Sequence, residues 1–273
     1  MESPNPFKTK KVNLLGINNI FKFIIRGFPR LLLIISFYIL VYLLYFVVKR
    51  TDKIQEVFQT YSNILLKLSG YKKINIDSQS KLNIKNSKAQ IIVINHSSYI
   101  DTGVSNVLFP DAKFIASNYI KDLPVIGKHA KHNCIFLKSD FNGNLTNEVK
   151  ALLDNGEKIV FFAEGCCNRP DTLLKLRSGA FINGLSILPV HISYSEENVW
   201  INGEDNMITH YLWQLCQKSN NVNVSVGCDY KPSDKEKKDV DLFINNFTDY
   251  YCDEFKVLKS NKSYKDHPAF FKR

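Results

Sequence analysis

The sequence predicts an α/β fold: a membrane-anchoring amino-terminal helix, or helix pair, followed by a mixed sheet flanked by helices. Three features predict it. Residues 31–48 form one uninterrupted apolar run; short apolar runs of strand length then alternate with helix-like spacing; and each short run leads into a polar or otherwise unusual residue. With 45% hydrophobic and 23% charged residues in 273, the chain can build a real core, which excludes disorder for its bulk. Residues 1–53 hold nine basic residues against two acidic ones, so +7 of the net +10 lies there. That excess flanks an apolar stretch and is not spread over a folded face, which argues against a nucleic-acid reader. Six cysteines are too sparse for a disulfide scaffold.

The run at 31–48 (LLLIISFYILVYLLYFVV) has no charge, Gly or Pro. As a helix it would extend about 27 Å, near the roughly 30 Å hydrocarbon core of a bilayer. Arg30 before it and Lys49–Arg50 after it stand where side chains snorkel to headgroups. Residues 12–28 form a weaker amphipathic pattern, an interfacial helix leading into the span. The expected organisation is an anchor over 1–53 with its hydrophobic span at about 31–48, a domain over 54–255, and a polar tail over 256–273.

Beyond the anchor, residues 54–68 have helical apolar spacing and end near Gly70, a suitable C′ glycine. Residues 91–94 (IIVI), 135–137 (IFL), 159–162 (IVFF), and 187–188 with 190–192 are predicted as short buried strands. Between two of them a helix is expected to open at Thr146 and close at Gly156. The chain from Lys231 mixes ten basic with eight acidic residues and is expected as a solvated helix plus a loose end. The strands run into His96, Lys138, Glu164 and Pro189. Ligand sites in open α/β sheets collect beyond the carboxyl ends of strands, so one site assembled from these distant segments is expected.

Asn95-His96-Ser97-Ser98-Tyr99-Ile100-Asp101 carries the strongest chemistry. Five helical steps turn about 500°, so His96 and Asp101 do not share a helix face. They meet if His96 sits in a strand-to-helix turn and Asp101 on the first helical turn, reaching back. The carboxylate then fixes one ring nitrogen and leaves the other as a base. The alternative is a histidine capping a helix, with the aspartate favoured by the helix dipole. No metal is expected, because further ligands at suitable spacing are not evident; His129, His132 and Cys134 are only loosely ligand-like. Vicinal Cys166–Cys167 leaves open a covalent thiol nucleophile or a metal or redox pair.

Around this pair come Pro124-Val125-Ile126-Gly127, Ile135-Phe136-Leu137-Lys138, Phe162-Ala163-Glu164-Gly165-Cys166-Cys167-Asn168-Arg169, Ser178-Gly179-Ala180-Phe181 and Ile187-Leu188-Pro189-Val190. In that order, over about residues 90–192, these segments resemble the four motifs of the glycerolipid acyltransferases, a superfamily that includes lysophosphatidic acid and lysophosphatidylcholine acyltransferases. His96 and Asp101 match its catalytic His-x4-Asp, Glu164-Gly165 its third motif, and Pro189 the proline of its fourth. Three positions depart from it. Lys138 stands where the family mostly has Arg, and Ala163 and Cys166 replace the Pro and Thr of Phe-Pro-Glu-Gly-Thr. Arg169 corresponds to the third motif's basic residue with a register shift. The Cys-Asn-Arg run with the later Gly-Ala-Phe resembles the lysophosphatidylcholine branch.

The resemblance implies a membrane O-acyltransferase that moves a fatty acyl group from acyl-CoA, a co-substrate, to the free hydroxyl of a lysophospholipid. No cofactor is implied, and the partners are membrane lipids, acyl-CoA and a lysophospholipid, with the endoplasmic reticulum as the family's default membrane. His96 would be the base and Asp101 its orienter; Lys138, Glu164, Gly165, Arg169 and Pro189 would serve substrate binding. Lys138 and Arg169 suit an acceptor phosphate, and N–H groups of the helix opening after His96 suit a developing oxyanion. Two other readings remain: a CoA-independent phospholipid transacylase, and a catalytically silent membrane scaffold, to which the altered third motif points.

Overall fold

The structure is a computed structural model. It describes residues 5–14, 16–47, 54–122, 127, 130, 133–137, 144–201 and 206–267. The helices are α1 (Ile17–Lys22), α2 (Phe28–Val47), α3 (Ile54–Leu68), α4 (Ser78–Asn86), α5 (Asp101–Leu108), α6 (Asn144–Asp154), α7 (Met207–Cys216), α8 (Asp234–Lys238) and α9 (Val240–Phe255). The strands are β1 (Ile74–Ile76), β2 (Ile91–Ile94), β3 (Ala112–Ser117), β4 (Cys134–Leu137), β5 (Lys158–Phe162), β6 (Thr172–Leu173), β7 (Ile187–Tyr194), β8 (Val222–Val226) and β9 (Leu258–Lys259).

The main sheet runs β1-β8-β7-β2-β5-β3-β4, and β6 pairs separately with β9. Every pairing is parallel except β7 with β8, so the sheet is mixed, as expected. The continuous IIVI of β2 is explained by its place between β7 and β5, where both faces are covered and all four side chains are buried. Ile92 and Ile94 join Val190 and Ile192 in one core with Leu66 of α3 and Val104 of α5. Ile91 and Val93 join Ile159 and Phe161 on the other face, against Val149 of α6 and Phe243, Phe247 and Tyr251 of α9.

Several expectations are corrected. Pro189 does not mark a strand exit, because β7 runs on to Tyr194. Its carbonyl accepts from Gly227 N–H (3.1 Å), beyond the last β8 pair, so the N–H that proline lacks falls where that ladder has ended. The helix expected to open at Thr146 opens at Asn144. The expected solvated helix is α9, a core helix whose Phe243, Phe247 and Tyr251 repeat every four residues and are fully buried. The segment expected as a polar tail is docked as far as His267: β9 adds to β6, and the buried His267 ring meets Phe7 edge-on at 5.0 Å.

At the amino end, α1 passes through a π turn (Phe23–Gly27) into α2, one rod in place of two separate helices, starting at Ile17 and not at Val12. The stretch Asn18–Leu40 is long and apolar enough to cross a membrane, and almost all of it lies outside the protein's core. Arg30, expected at the headgroups, instead donates from Nη1 to the carbonyls of Leu215 (2.9 Å) and Gln217 (2.6 Å). The last carbonyls of α7 have no helical donors, and the guanidinium fork supplies them. Lys49 and Arg50 lie outside the described residues. Residues 5–10, grouped by sequence with the anchor, belong to the folded body. Phe7 is buried, Pro6 O accepts from Arg169 N–H (2.9 Å), and Lys10 pairs with Glu197 (2.7 Å).

Candidate active site

At its carboxyl end β2 enters the turn 95–100, and α5 begins at Asp101. Asn95 anchors this turn to β7 by pairing with the backbone of Ile192: its Nδ2 donates to the carbonyl (2.9 Å) and its Oδ1 accepts from the N–H (2.7 Å). The turn brings His96 Nδ1 within 2.8 Å of Asp101 Oδ2. A carboxylate only accepts, so Nδ1 carries the hydrogen and Nε2 is the edge that exchanges a proton. Asp101 is fully buried, whereas the His96 side chain keeps 22% of its surface exposed. The ring also lies on Phe162 at 4.6 Å between centroids. Position, tautomer and access are those of a general base.

The same Asp101 oxygen accepts from Ser97 N–H (2.6 Å) and Ser98 N–H (2.9 Å), and the other accepts from Tyr194 Oη (2.6 Å). These bonds correct one expectation: the amides of Ser97 and Ser98 are spent on Asp101 and are not free for an oxyanion. Burial favours the neutral imidazole, but Cys167 beside it and the Asp101 carboxylate favour the charged form and prevail. They hold the His96 pKa well above the ordinary 6.5.

Glu164, expected to bind substrate, is fully buried and committed to the protein. Its Oε2 accepts from His96 N–H (2.9 Å); its Oε1 accepts from Asn168 Nδ2 (2.7 Å) and Leu174 N–H (2.9 Å). Burial raises its pKa to about 7 against these hydrogen bonds, which pull it down. Asn168 N–H donates in turn to His96 O (2.8 Å), so the loop after β5 grips both sides of the histidine's main chain. Gly165 serves this loop through its conformation: φ is +78°, and a Cβ there would lie 2.8 Å from Arg177 Cδ.

Arg169 is held by Asp171 (2.6 Å) and Glu196 (3.5 Å) and lines a surface cleft of about 320 Å³ with Lys8, Thr9 and Lys10. Pro189 is buried within β7 opposite Val93. Lys138, His129 and His132 lie outside the described residues. Burial pushes the Cys166 thiol well above the usual range, which disfavours its thiolate. Among the described residues no cluster of three or more His, Cys, Asp or Glu is arranged to hold a metal.

Sequence reasoning missed Tyr194, Asn95 and the structural use of Asn168. It also missed Tyr99, whose hydroxyl bonds His210 Nδ1 (3.1 Å) and Gln214 Oε1 (2.9 Å) and so ties the turn to α7. The adjacency of Asn95 to His96 was a usable signal; Tyr194, 93 positions from Asp101, had none.

An acyltransferase family profile matches residues 75–193, which include the whole dyad and the loops that hold it. The chain is 29% identical to lysophospholipid acyltransferase LPEAT1 of Arabidopsis thaliana, over 64% of this chain and 47% of that protein. It is 33% identical to lysophosphatidylcholine acyltransferase 1 of Danio rerio, over 55% of this chain and 31% of that one. The chain thus spans about a third to a half of the length of these relatives. In fold it is similar to a 1-acyl-sn-glycerophosphate acyltransferase from Thermotoga maritima, with a TM-score of 0.59 and 17% identity, over 90% of this chain and 99% of that one. Residues 75–193 are thus similar in sequence to acyltransferases, and the chain shares the fold of the Thermotoga maritima enzyme.

Proposed function

We propose that this protein transfers a fatty acyl group from acyl-CoA to the free hydroxyl of a lysoglycerophospholipid, lysophosphatidic acid or lysophosphatidylcholine, at a membrane surface. The observation that carries the reading is the His96–Asp101 pair, with Nδ1 fixed at 2.8 Å by a buried carboxylate and the imidazole partly open to solvent. The names of the relatives support the lysophospholipid as acceptor. The helix Asn18–Leu40 supports a membrane location, and the endoplasmic reticulum is the superfamily's default.

The acceptor hydroxyl attacks the thioester carbonyl carbon while His96 Nε2 takes its proton. The tetrahedral intermediate collapses by breaking the C–S bond. Thiolate is a good leaving group, and the proton held on His96 returns to it or to solvent, so ester and free CoA balance the step. Asp101 keeps the tautomer fixed and stabilises the imidazolium that forms. Glu164 and Asn168 hold the main chain of His96. The high basicity of His96 favours proton capture once the ring is neutral, so the rate should rise with pH through the imidazole titration.

The test is to supply the purified full chain with labelled oleoyl-CoA and a panel of lysophospholipids and to identify the lipid products. A phospholipid ester that requires both substrates is expected. Acyl exchange between phospholipids without CoA would point to the transacylase. No ester from any acceptor would favour the silent scaffold, which the altered third motif (Ala163, Cys166) keeps in contention.

A further inference from the structure

We propose that Tyr194 is a positioning residue of this site, whose hydroxyl governs how strongly Asp101 holds the His96 imidazole; the inference rests on the acyl-transfer reading. The two oxygens of Asp101 have different partners. Oδ2 takes His96 Nδ1 and the amides of Ser97 and Ser98, whereas Oδ1 takes the Tyr194 hydroxyl at 2.6 Å. Asp101 is fully buried and Tyr194 is 8% exposed, so solvent does not stand in for that donor. A phenylalanine would fill the same apolar space beside Val190 and Ile192. What the hydroxyl adds is a short, charge-assisted bond that draws electron density toward Oδ1, away from the oxygen facing His96.

The other titratable groups around the dyad are engaged elsewhere. Tyr71 meets the Tyr194 ring edge-on at 6.0 Å, but its hydroxyl accepts from Gln214 Nε2 (2.9 Å). Tyr251 of α9 donates to Val190 O (2.8 Å), and His191 of β7 lies beside that hydroxyl (3.3 Å). Glu164 takes the main chain of His96, and Cys167 faces its ring. Tyr194 is therefore the side-chain donor to the Asp101 carboxylate among the described hydrogen bonds, His96 apart.

Without the hydroxyl, more charge stays on Oδ2 and the imidazolium is held more tightly. In the full-length Tyr194→Phe variant, kcat measured on the acid limb should fall roughly 10-fold with KM within about twofold, because less of the imidazole is neutral there. The acid limb of the pH–rate profile should move to higher pH. Replacing Tyr194 with a ring-fluorinated tyrosine, a stronger donor of the same shape, should move the limb to lower pH. A packing role would produce neither shift. The His96 titration is also followed by NMR of labelled histidine, with its signal assigned by its loss in His96→Ala; this needs no substrate. If the wild type makes no ester, the acyl-transfer reading fails while the NMR titration still tests Tyr194. Opposite displacements in the two variants are expected. An unmoved titration in the fluorinated protein, or an unmoved or lowered one in a folded Tyr194→Phe protein, would overturn the proposal.

Discussion

The carboxylate of Glu164 accepts the main-chain N–H of His96 at 2.9 Å, so the third sequence motif holds the first by its backbone. Both residues lie just beyond neighbouring parallel strands, β2 and β5, which set their separation. Burial is the main force on the Glu164 carboxyl and raises its pKa from 4.5 to about 7. The folded state therefore holds this proton more tightly than the unfolded chain does. The associated stability is fully present below about pH 4.5 and is lost as pH rises through about 7. Glu164→Gln removes the titration, but it turns an N–H toward one of the three donors and should destabilise by about 1–3 kcal/mol at low pH. The gap between wild type and variant should narrow from about pH 5 to about pH 8 in urea unfolding. A gap that widened would contradict this account of the carboxyl.

Asp101→Asn separates orientation from binding. The amide oxygen can still take His96, Ser97 and Ser98 if its N–H turns to the Tyr194 hydroxyl, but the negative charge that stabilises the imidazolium is gone. A heavy kcat loss, somewhat smaller than that of removing His96 itself, is expected, with KM little changed. Steady-state kinetics on folded protein checks this.

Gly165 holds φ at +78° with Arg177 close overhead. Gly165→Ala should cost about 1–3 kcal/mol through the left-handed backbone and the displaced arginine. Denaturant unfolding measures it; a change within about 0.5 kcal/mol would mean that the loop is not held in this conformation.

How far the site could be read in advance follows from distance along the chain. His96 and Asp101 lie within one strand-to-helix turn, so their meeting was legible from spacing, and the apolar runs located β2, β4, β5 and β7. Glu164 was found but given the wrong partner, because a carboxylate looks the same in sequence whether it faces a ligand or a backbone amide. Tyr194 depends on the register of β7 against β2, which no local pattern encodes. Two misses were avoidable. VNVSV of β8 alternates buried and exposed residues, and Phe243, Phe247 and Tyr251 keep helical spacing beneath a charged exterior. In both, the charges and small polar residues drew attention from the periodicity.

The membrane reading is tested on residues that the fold leaves outward. Leu33 is 55% and Ile39 51% exposed, on a rod otherwise tied to the body through Arg30. Leu33→Lys with Ile39→Lys should cost roughly 2.5–3.5 kcal/mol per charge near a bilayer centre. The double variant should be released by alkaline carbonate, which leaves the wild type in the membrane. Deleting residues 1–48 is a poorer test, because it also removes the buried Phe7 and the Arg30 cap on α7. Retention of the double variant would place the membrane attachment elsewhere.

The central claim is that His96 is the base for acyl transfer, and comparing the rate of His96→Ala with wild type tests it most directly. Both full-length proteins are supplied with labelled oleoyl-CoA and the lysophospholipid that the wild type accepts best, and phospholipid ester is quantified under saturating substrate. The account predicts a fall in kcat of roughly 10²- to 10⁴-fold, the usual worth of a positioned general base, in a variant that stays folded. Ester formation by His96→Ala at the wild-type rate would contradict it.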